Sequence, residues 1–230
     1  MGNQVITINL GMVKAFLIKG EKYILIDTGL PQSFEKIKKF FIKNEINPKD
    51  ISLIILTHNH LDHTGGIMQM KSLTGAKVLI HKIEGEYLAK GISTPVQARS
   101  IFAKLIMKVM KDPIIKSFKA DLLIEDNLNL NQFGVNGEVI HTPGHTAGSL
   151  SVLLNNGETI VGDMISGHHK RKYTTAKYPF IWNNINELRN SINMLLSKGA
   201  KVFYNSHGDV CDDTSIKNLL DKDIGENKYE

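Results

Sequence analysis

A single cysteine, Cys211, is all the chain carries, so no disulfide can form within it and the fold must rest on packing. That scarcity suits a reducing compartment, and the cytoplasm is the expected location. Long apolar runs are also missing. The longest, residues 13–18 and 51–56, are far too short to span a bilayer, so no stable membrane anchor is expected. The first ten residues lack a basic segment followed by an apolar core, so no secretory signal is read there. Ile6 stands where a myristoylation motif at Gly2 needs Ser or Thr. There is no internal repeat, low-complexity tract or block of like charge. The net charge of +5 comes from lysines scattered among Asn and Ile, and no nucleic-acid partner is expected. What remains is ordinary globular composition, 42% hydrophobic and 22% charged over 230 residues, which is enough for one large domain.

Against that background, residues 57–66 stand out: T-H-N-H-L-D-H-T-G-G. His58, His60, Asp62 and His63 fall within six positions. Histidine is the commonest transition-metal ligand. At this chain's own His and Asp frequencies, H-x-H-x-D-H should arise by chance in roughly one such chain per thousand. Residues 51–56, I-S-L-I-I-L, read as a strand buried on both faces, and the histidines begin where it stops. In a chain still extended there, His58 and His60 point the same way. Residues 67–71 read as a helix, with Asp62 and His63 at or near its start.

Residues 5–9, 13–19 and 22–26 read as three short strands with turns at Gly11 and Gly20-Glu21. Ser33 is placed to cap a helix running to about Asn44. Further strands are expected at 78–80, 122–124, 128–130, 138–141, 149–154, 159–161 and 201–204, with Asn156-Gly157 as a hairpin turn. Helices are expected from about Glu84, at 95–110 starting from Pro95, at 184–196 and at the C-terminus. Strands and helices thus occur twice in similar order, which suggests two β-rich halves faced by helices.

Three later clusters repeat the pattern of a strand followed by a potential ligand. They are His141-Thr142-Pro143-Gly144-His145, Gly162-Asp163, and Asn205-Ser206-His207-Gly208. Imidazole and carboxylate without thiolate suit Zn²⁺, with Fe or Mn as alternatives. Seven candidate ligands are too many for one tetrahedral ion and about right for two ions sharing a carboxylate.

H-x-H-x-D-H, then T-P-G-H-T-x-G-S, G-D and H-G, in this order, resembles the metallo-β-lactamase superfamily over nearly the whole chain. Leu25-Ile26-Asp27-Thr28-Gly29 matches another of its recurrent motifs. The resemblance implies a four-layer αββα sandwich with a dinuclear metal site at one edge of the sheets. It implies that His58, His60 and His145 hold one metal, that Asp62, His63 and His207 hold the other, and that Asp163 bridges them. Asp27 would orient the histidine loop, and His141 would support it. Two Zn²⁺ per chain would make a bound hydroxide for attack on an ester-like bond, with Asp62 orienting the nucleophile. The last motif departs from the usual P-G-H-G, which leaves the second metal's geometry open.

The scaffold carries many reactions, so the substrate needs separate argument. Asp163 and the missing signal argue against an exported β-lactamase. Glyoxalase II has a helical C-terminal domain, whereas 23 residues follow His207 here. Homoserine-lactone lactonases have a tyrosine three positions after the bridging aspartate, where this chain has Ser166. Hydrolysis of a thioester or lactone in a small molecule is the favoured expectation. A mononuclear-iron, persulfide-dioxygenase-like oxidoreductase and a non-catalytic metal-binding sensor are the alternatives. The basic loop S-G-H-H-K-R-K-Y, residues 166–173, is placed to contact an anionic group through His168, Lys170, Arg171 or Tyr173. A helical insertion at about 82–119 would cap the site with Phe102 and Met107, or form a homodimer contact. His81 and Cys211 are read as a surface histidine and a free structural thiol.

Overall fold

The computed structural model describes residues 3–98, 115–170 and 173–226. The first half builds a six-stranded sheet from β1 (Gln4–Asn9), β2 (Lys14–Lys19), β3 (Tyr23–Ile26), β4 (Ile51–Ile55), β5 (Lys77–His81) and β7 (Leu122–Ile124), in that spatial order. β1, β2 and β3 pair antiparallel, whereas β3, β4, β5 and β7 run parallel. The parallel strands need crossovers. These are the helices α1 (Phe34–Lys43), α2 (Leu61–Thr64), α3 (Ile67–Thr74) and α4 (Lys82–Lys90).

The second half repeats the plan with β8 (Leu128–Asn129), β9 (Gly137–His141), β10 (Leu150–Leu154), β11 (Glu158–Ile160), β15 (Val202–Tyr204) and β16 (Cys211–Asp212). Helices α5 (Ile185–Ser197) and α6 (Asp213–Glu226) belong to this half. Two short pairs complete the fold. One is the hairpin of β12 (Ser166–Lys170) with β13 (Tyr173–Lys177). The other is β6 (Gln97–Ala98) against β14 (Ile181–Trp182).

Side-chain alternation sorts the apolar residues into three cores. Phe16, Ile18, Ile24, Ile26, Leu53 and Ile55 face Val139, Leu150, Val152 and Ile160 between the sheets. From the same strands, Leu17, Leu25 and Ile54 turn outward to meet Ile37 and Phe41 of α1, Met70 of α3 and Leu88 of α4. On the far side, Leu153 and Phe203 meet Leu188, Ile192 and Leu195 of α5 and Ile216 of α6. The layers are therefore α, β, β, α, as the resemblance implies.

Several expectations need correction. Pro95 does not lead straight into a helix, because Gln97–Ala98 is extended and pairs with Ile181–Trp182; tertiary pairing overrides local propensity there. The rest of that stretch, residues 99–114 with Phe102 and Met107, lies outside the described residues. The 166–173 segment is no simple loop but part of a hairpin with the register Ser166↔Lys177 to Lys170↔Tyr173. Arg171 lies outside the described residues, as do the side chains of Lys170 and Tyr173. Ser33 sits at the start of α1 but its side chain makes no capping bond; the 3₁₀ turn Pro31–Ser33 leads into the helix instead. His81 is buried, not on the surface, and its ring lies flat against His141, centroids 4.2 Å apart. Cys211, by contrast, is the buried free thiol expected, and burial pushes its pKa up to about 11. Among the described residues no helix is long and apolar enough to cross a membrane.

Candidate metal centre

Asp27, His58, Asp163 and His207 follow β3, β4, β11 and β15, and His145 lies on the turn between β9 and β10. Parallel pairing of β3 with β4 and of β11 with β15 delivers these strand ends to one edge. Leu150 N–H donates to Thr57 O at 2.8 Å, tying the two sheets together at that edge. Gly162, at φ +54°, lets the chain press on Thr57 just before Asp163, where a Cβ would come within 2.9 Å of the Thr57 hydroxyl.

Two groups of side chains meet there. His58, His60, His145 and Asp163 form one, and Asp62, His63 and His207 the other, with one ligand atom of each residue within 4.8 Å of its fellows. Asp163 lies between them. Its Oδ2 is 3.9 Å from His58 Nε2, 3.7 Å from His145 Nε2 and 3.4 Å from His207 Nε2; its Oδ1 is 3.3 Å from His63 Nε2.

Each imidazole is held from behind. His58 Nδ1 lies 3.1 Å from Thr57 Oγ1, which itself donates to Asp27 Oδ2 at 2.8 Å. His60 Nε2–H donates to Thr94 O at 3.3 Å, and His145 Nδ1–H to Ile181 O at 3.0 Å. His63 Nδ1–H donates to Asp27 Oδ2 at 2.8 Å, and His207 Nδ1–H to Met12 O at 2.9 Å. In the neutral ring, a proton on the outer nitrogen leaves the inner one with its lone pair directed at the site. His60 Nδ1 then faces His58 Nε2 at 2.9 Å and His145 Nε2 at 3.3 Å. Lone pairs facing one another at such distances need a cation among them. Buried His63 Nε2 and Asp163 Oδ1 likewise lack a hydrogen bond of good geometry. The donor set therefore fits divalent metal.

The electrostatics agree. Burial, reinforced by neighbouring imidazoles, pulls His58 well down and brings His145 to about 4 despite Asp163 nearby; His60 is lowered mainly by burial. His207 is raised to about 10 by Asp163 and Asp62, against its burial. For His63 burial works downward, yet Asp163, Asp62 and Asp27 together raise it well above the ordinary range. Burial works against ionised Asp62, but His63 and His207 hold it at about 2. Asp163 is likewise held well below the carboxylate range by His63 and His207, against its burial. Metal entering the second group must displace protons.

The remaining predicted residues are more peripheral. Asp27 is wholly buried at φ +61°, and its Oδ1 also accepts from Thr57 N–H at 2.8 Å. His141 stays outside both groups; its Nε2–H donates to Ala147 O at 2.9 Å and so shapes the loop bearing His145. His168 lies on the hairpin beside Ser166, whose hydroxyl donates to His207 O at 2.5 Å. Sequence reading passed over Thr57, Thr94 and the carbonyls of Met12 and Ile181, because residue type alone cannot reveal a backbone partner. It also passed over Glu84.

A family model described as the metallo-β-lactamase superfamily matches residues 8–207. The chain belongs to that superfamily. A probable metallo-hydrolase of Methanocaldococcus jannaschii is 32% identical over 203 residues, covering 86% of this chain and 88% of that one. A hydroxyacylglutathione hydrolase of Shewanella halifaxensis is 27% identical over 114 residues, 50% of this chain and 34% of that one. Among solved structures, a metallo-β-lactamase from Cronobacter sakazakii, altered in its HARLDQ motif, superposes with a TM-score of 0.63 at 24% identity. That match covers all of this chain (100%) and 87% of the other. At that identity the likeness establishes the fold alone.

Proposed function

We propose that this superfamily member is a metal-dependent hydrolase that cleaves an ester-like bond, a thioester or lactone, in a small molecule. One observation carries the reading: five imidazoles, each anchored through its outer nitrogen, turn their inner nitrogens toward a shared carboxylate. His58, His60 and His145 would hold one zinc ion, Asp62, His63 and His207 a second, and Asp163 both; the same donors accept Fe or Mn. Two such ions, when bound, supply hydroxide at neutral pH and polarise a carbonyl oxygen.

The protein's own residues do the rest. Asp62 is the catalytic carboxylate of this reading. Its side chain is 32% exposed, more open than Asp163 at 11%, and it lies 3.1 Å from His207 Nε2. It is ionised at neutral pH, so it accepts a hydrogen bond from the attacking water and orients it. Asp163 stays buried as a fixed negative charge between the two histidine groups. On the hairpin of β12 and β13, His168 would contact an anionic portion of the substrate; Arg171 and the side chains of Lys170 and Tyr173, the other contacts expected from the sequence, lie outside the described residues. The single cysteine supports the cytoplasm as the place of action.

Elemental mass spectrometry of protein purified without added metal tests this directly. The expected result is close to two zinc ions per chain, with thioester or lactone turnover that a chelator abolishes and zinc restores. About one iron with little zinc would overturn the dinuclear hydrolase. Full metal loading without turnover of esters, thioesters, lactones or phosphodiesters would point to a sensor.

A further inference from the structure

Glu84 is a wholly buried acid in the first turn of α4, where a glutamate ordinarily reaches back to its own helix N-terminus. Here the N-terminus is capped by His81, whose Nδ1 accepts from Ile83 N–H at 3.2 Å. The Glu84 oxygens go elsewhere. Oε2 accepts from Asn59 N–H at 2.8 Å and from the Thr94 hydroxyl at 2.6 Å, and Oε1 accepts from Gly148 N–H at 3.0 Å. Burying a carboxylate is costly and persists only when its oxygens are well satisfied.

The three donors are not scattered. Asn59 is the residue between His58 and His60. Thr94 is the residue whose carbonyl holds His60 Nε2. Gly148 ends the turn that carries His145. A Cβ at Gly148 would lie 2.8 Å from Glu84 Cγ and 3.0 Å from Oε1, so only glycine lets this loop close on the acid. Asp62, His63 and His207 have no bond to Glu84 or to its three partners; His63 is held instead by Asp27.

The geometry points to Glu84 as a positioning residue that sets the mutual placement of His58, His60 and His145, and so the affinity of one metal position and not the other. The inference rests on the metal reading above. Glu84→Gln keeps one acceptor oxygen but presents an amide N–H₂ where a second acceptor stood. Either the Gly148 link or the Asn59 and Thr94 links must then be lost.

Zinc alone, titrated into metal-free protein against a chromophoric chelator, tests it. In E84Q one of the two ions should weaken on the order of 10–100-fold while the other stays within about threefold. Equal weakening of both ions, or of neither, in a protein with unchanged circular dichroism would overturn the inference. If E84Q does not fold, Thr94→Val removes a single donor and must show the same one-ion loss in smaller measure, with Thr94→Ser restoring it; a T94V titration like wild type overturns it. Amide hydrogen exchange on metal-free E84Q separates the clamp from the metal reading. Asn59 or Gly148 should exchange at least about tenfold faster than in wild type. Wild-type protein that takes up no zinc refutes the metal reading. Unchanged exchange in E84Q refutes the clamp itself.

Discussion

Asp27 is held in the left-handed backbone region, which a non-glycine residue occupies at some cost, and its carboxylate accepts three hydrogen bonds from Thr57 and His63. A residue kept in that conformation is there for its carboxylate. Asp27→Asn replaces one acceptor oxygen with a donor, so either the Thr57 N–H link at Oδ1 or the Thr57 hydroxyl and His63 links at Oδ2 are lost. Because Asp27 holds His63 directly and His58 through Thr57, both proposed ion positions should weaken, about 10–100-fold, unlike the one-ion effect expected at Glu84. The same chelator titration measures it, and unchanged affinity at both positions would mean the anchoring has been misassigned. These two acids differ in legibility. Asp27 lies in a short motif whose residues are neighbours in sequence. Glu84 bonds to positions 25, 10 and 64 residues away, so nothing local betrays it.

Among the elements, α5 shows how local signals and tertiary contacts combine. Asn184 caps it by accepting from Asn186 N–H and Glu187 N–H, and its own N–H donates to Gly144 O in the turn before His145. Ile185, Leu188, Ile192 and Leu195 recur at helical spacing and are all buried. Asn184→Ala should cost about 1 kcal/mol of stability. A urea midpoint unchanged by the substitution would show that the backbone link to Gly144 alone sets this helix start. Periodicity and cap made α5 readable in advance. The hairpin of β12 and β13 was not, because S-G-H-H-K-R-K-Y is polar throughout and lacks an Asn-Gly turn. What extends it is pairing with the 173–177 strand and the link from Ser166 to His207 O. In the same way Gln97 and Ala98 follow their partners Ile181 and Trp182 rather than the helix signal of Pro95.

At the scale of the molecule, the two sheets are joined by a shared core and by contacts such as the edge-on packing of Phe16 against Tyr204, centroids 6.0 Å apart. Tyr204 also donates to Glu158 Oε1 at 2.7 Å. Burial, and then the bond to Glu158, raise its pKa above the usual tyrosine range. A folded pKa above the unfolded one means that the stabilisation is complete below about pH 10 and is lost as pH rises toward the folded value. The thermal midpoint of wild type should therefore fall above about pH 10 faster than that of Tyr204→Phe, which has no proton to lose there. Cys211, with its own raised pKa, leaves a smaller decline of the same sign in the variant. Parallel declines in both proteins would remove Tyr204 from the account.

The sequence alone determined the strand–ligand alternation, the layered fold class and the seven candidate ligands that the fold brings together in two neighbouring groups. Each of these is written in short windows: apolar runs of strand length, histidines just beyond them, a helical stripe with its cap. Only the tertiary structure decided that Glu84 joins Asn59, Thr94 and Gly148. It alone decided that carbonyls of Met12, Thr94 and Ile181 aim three imidazoles, and that His81 is buried against His141. The physical reason is range. Periodicity and capping act within a few residues, whereas a buried polar atom takes whatever partner the packing of distant strands brings within hydrogen-bond distance.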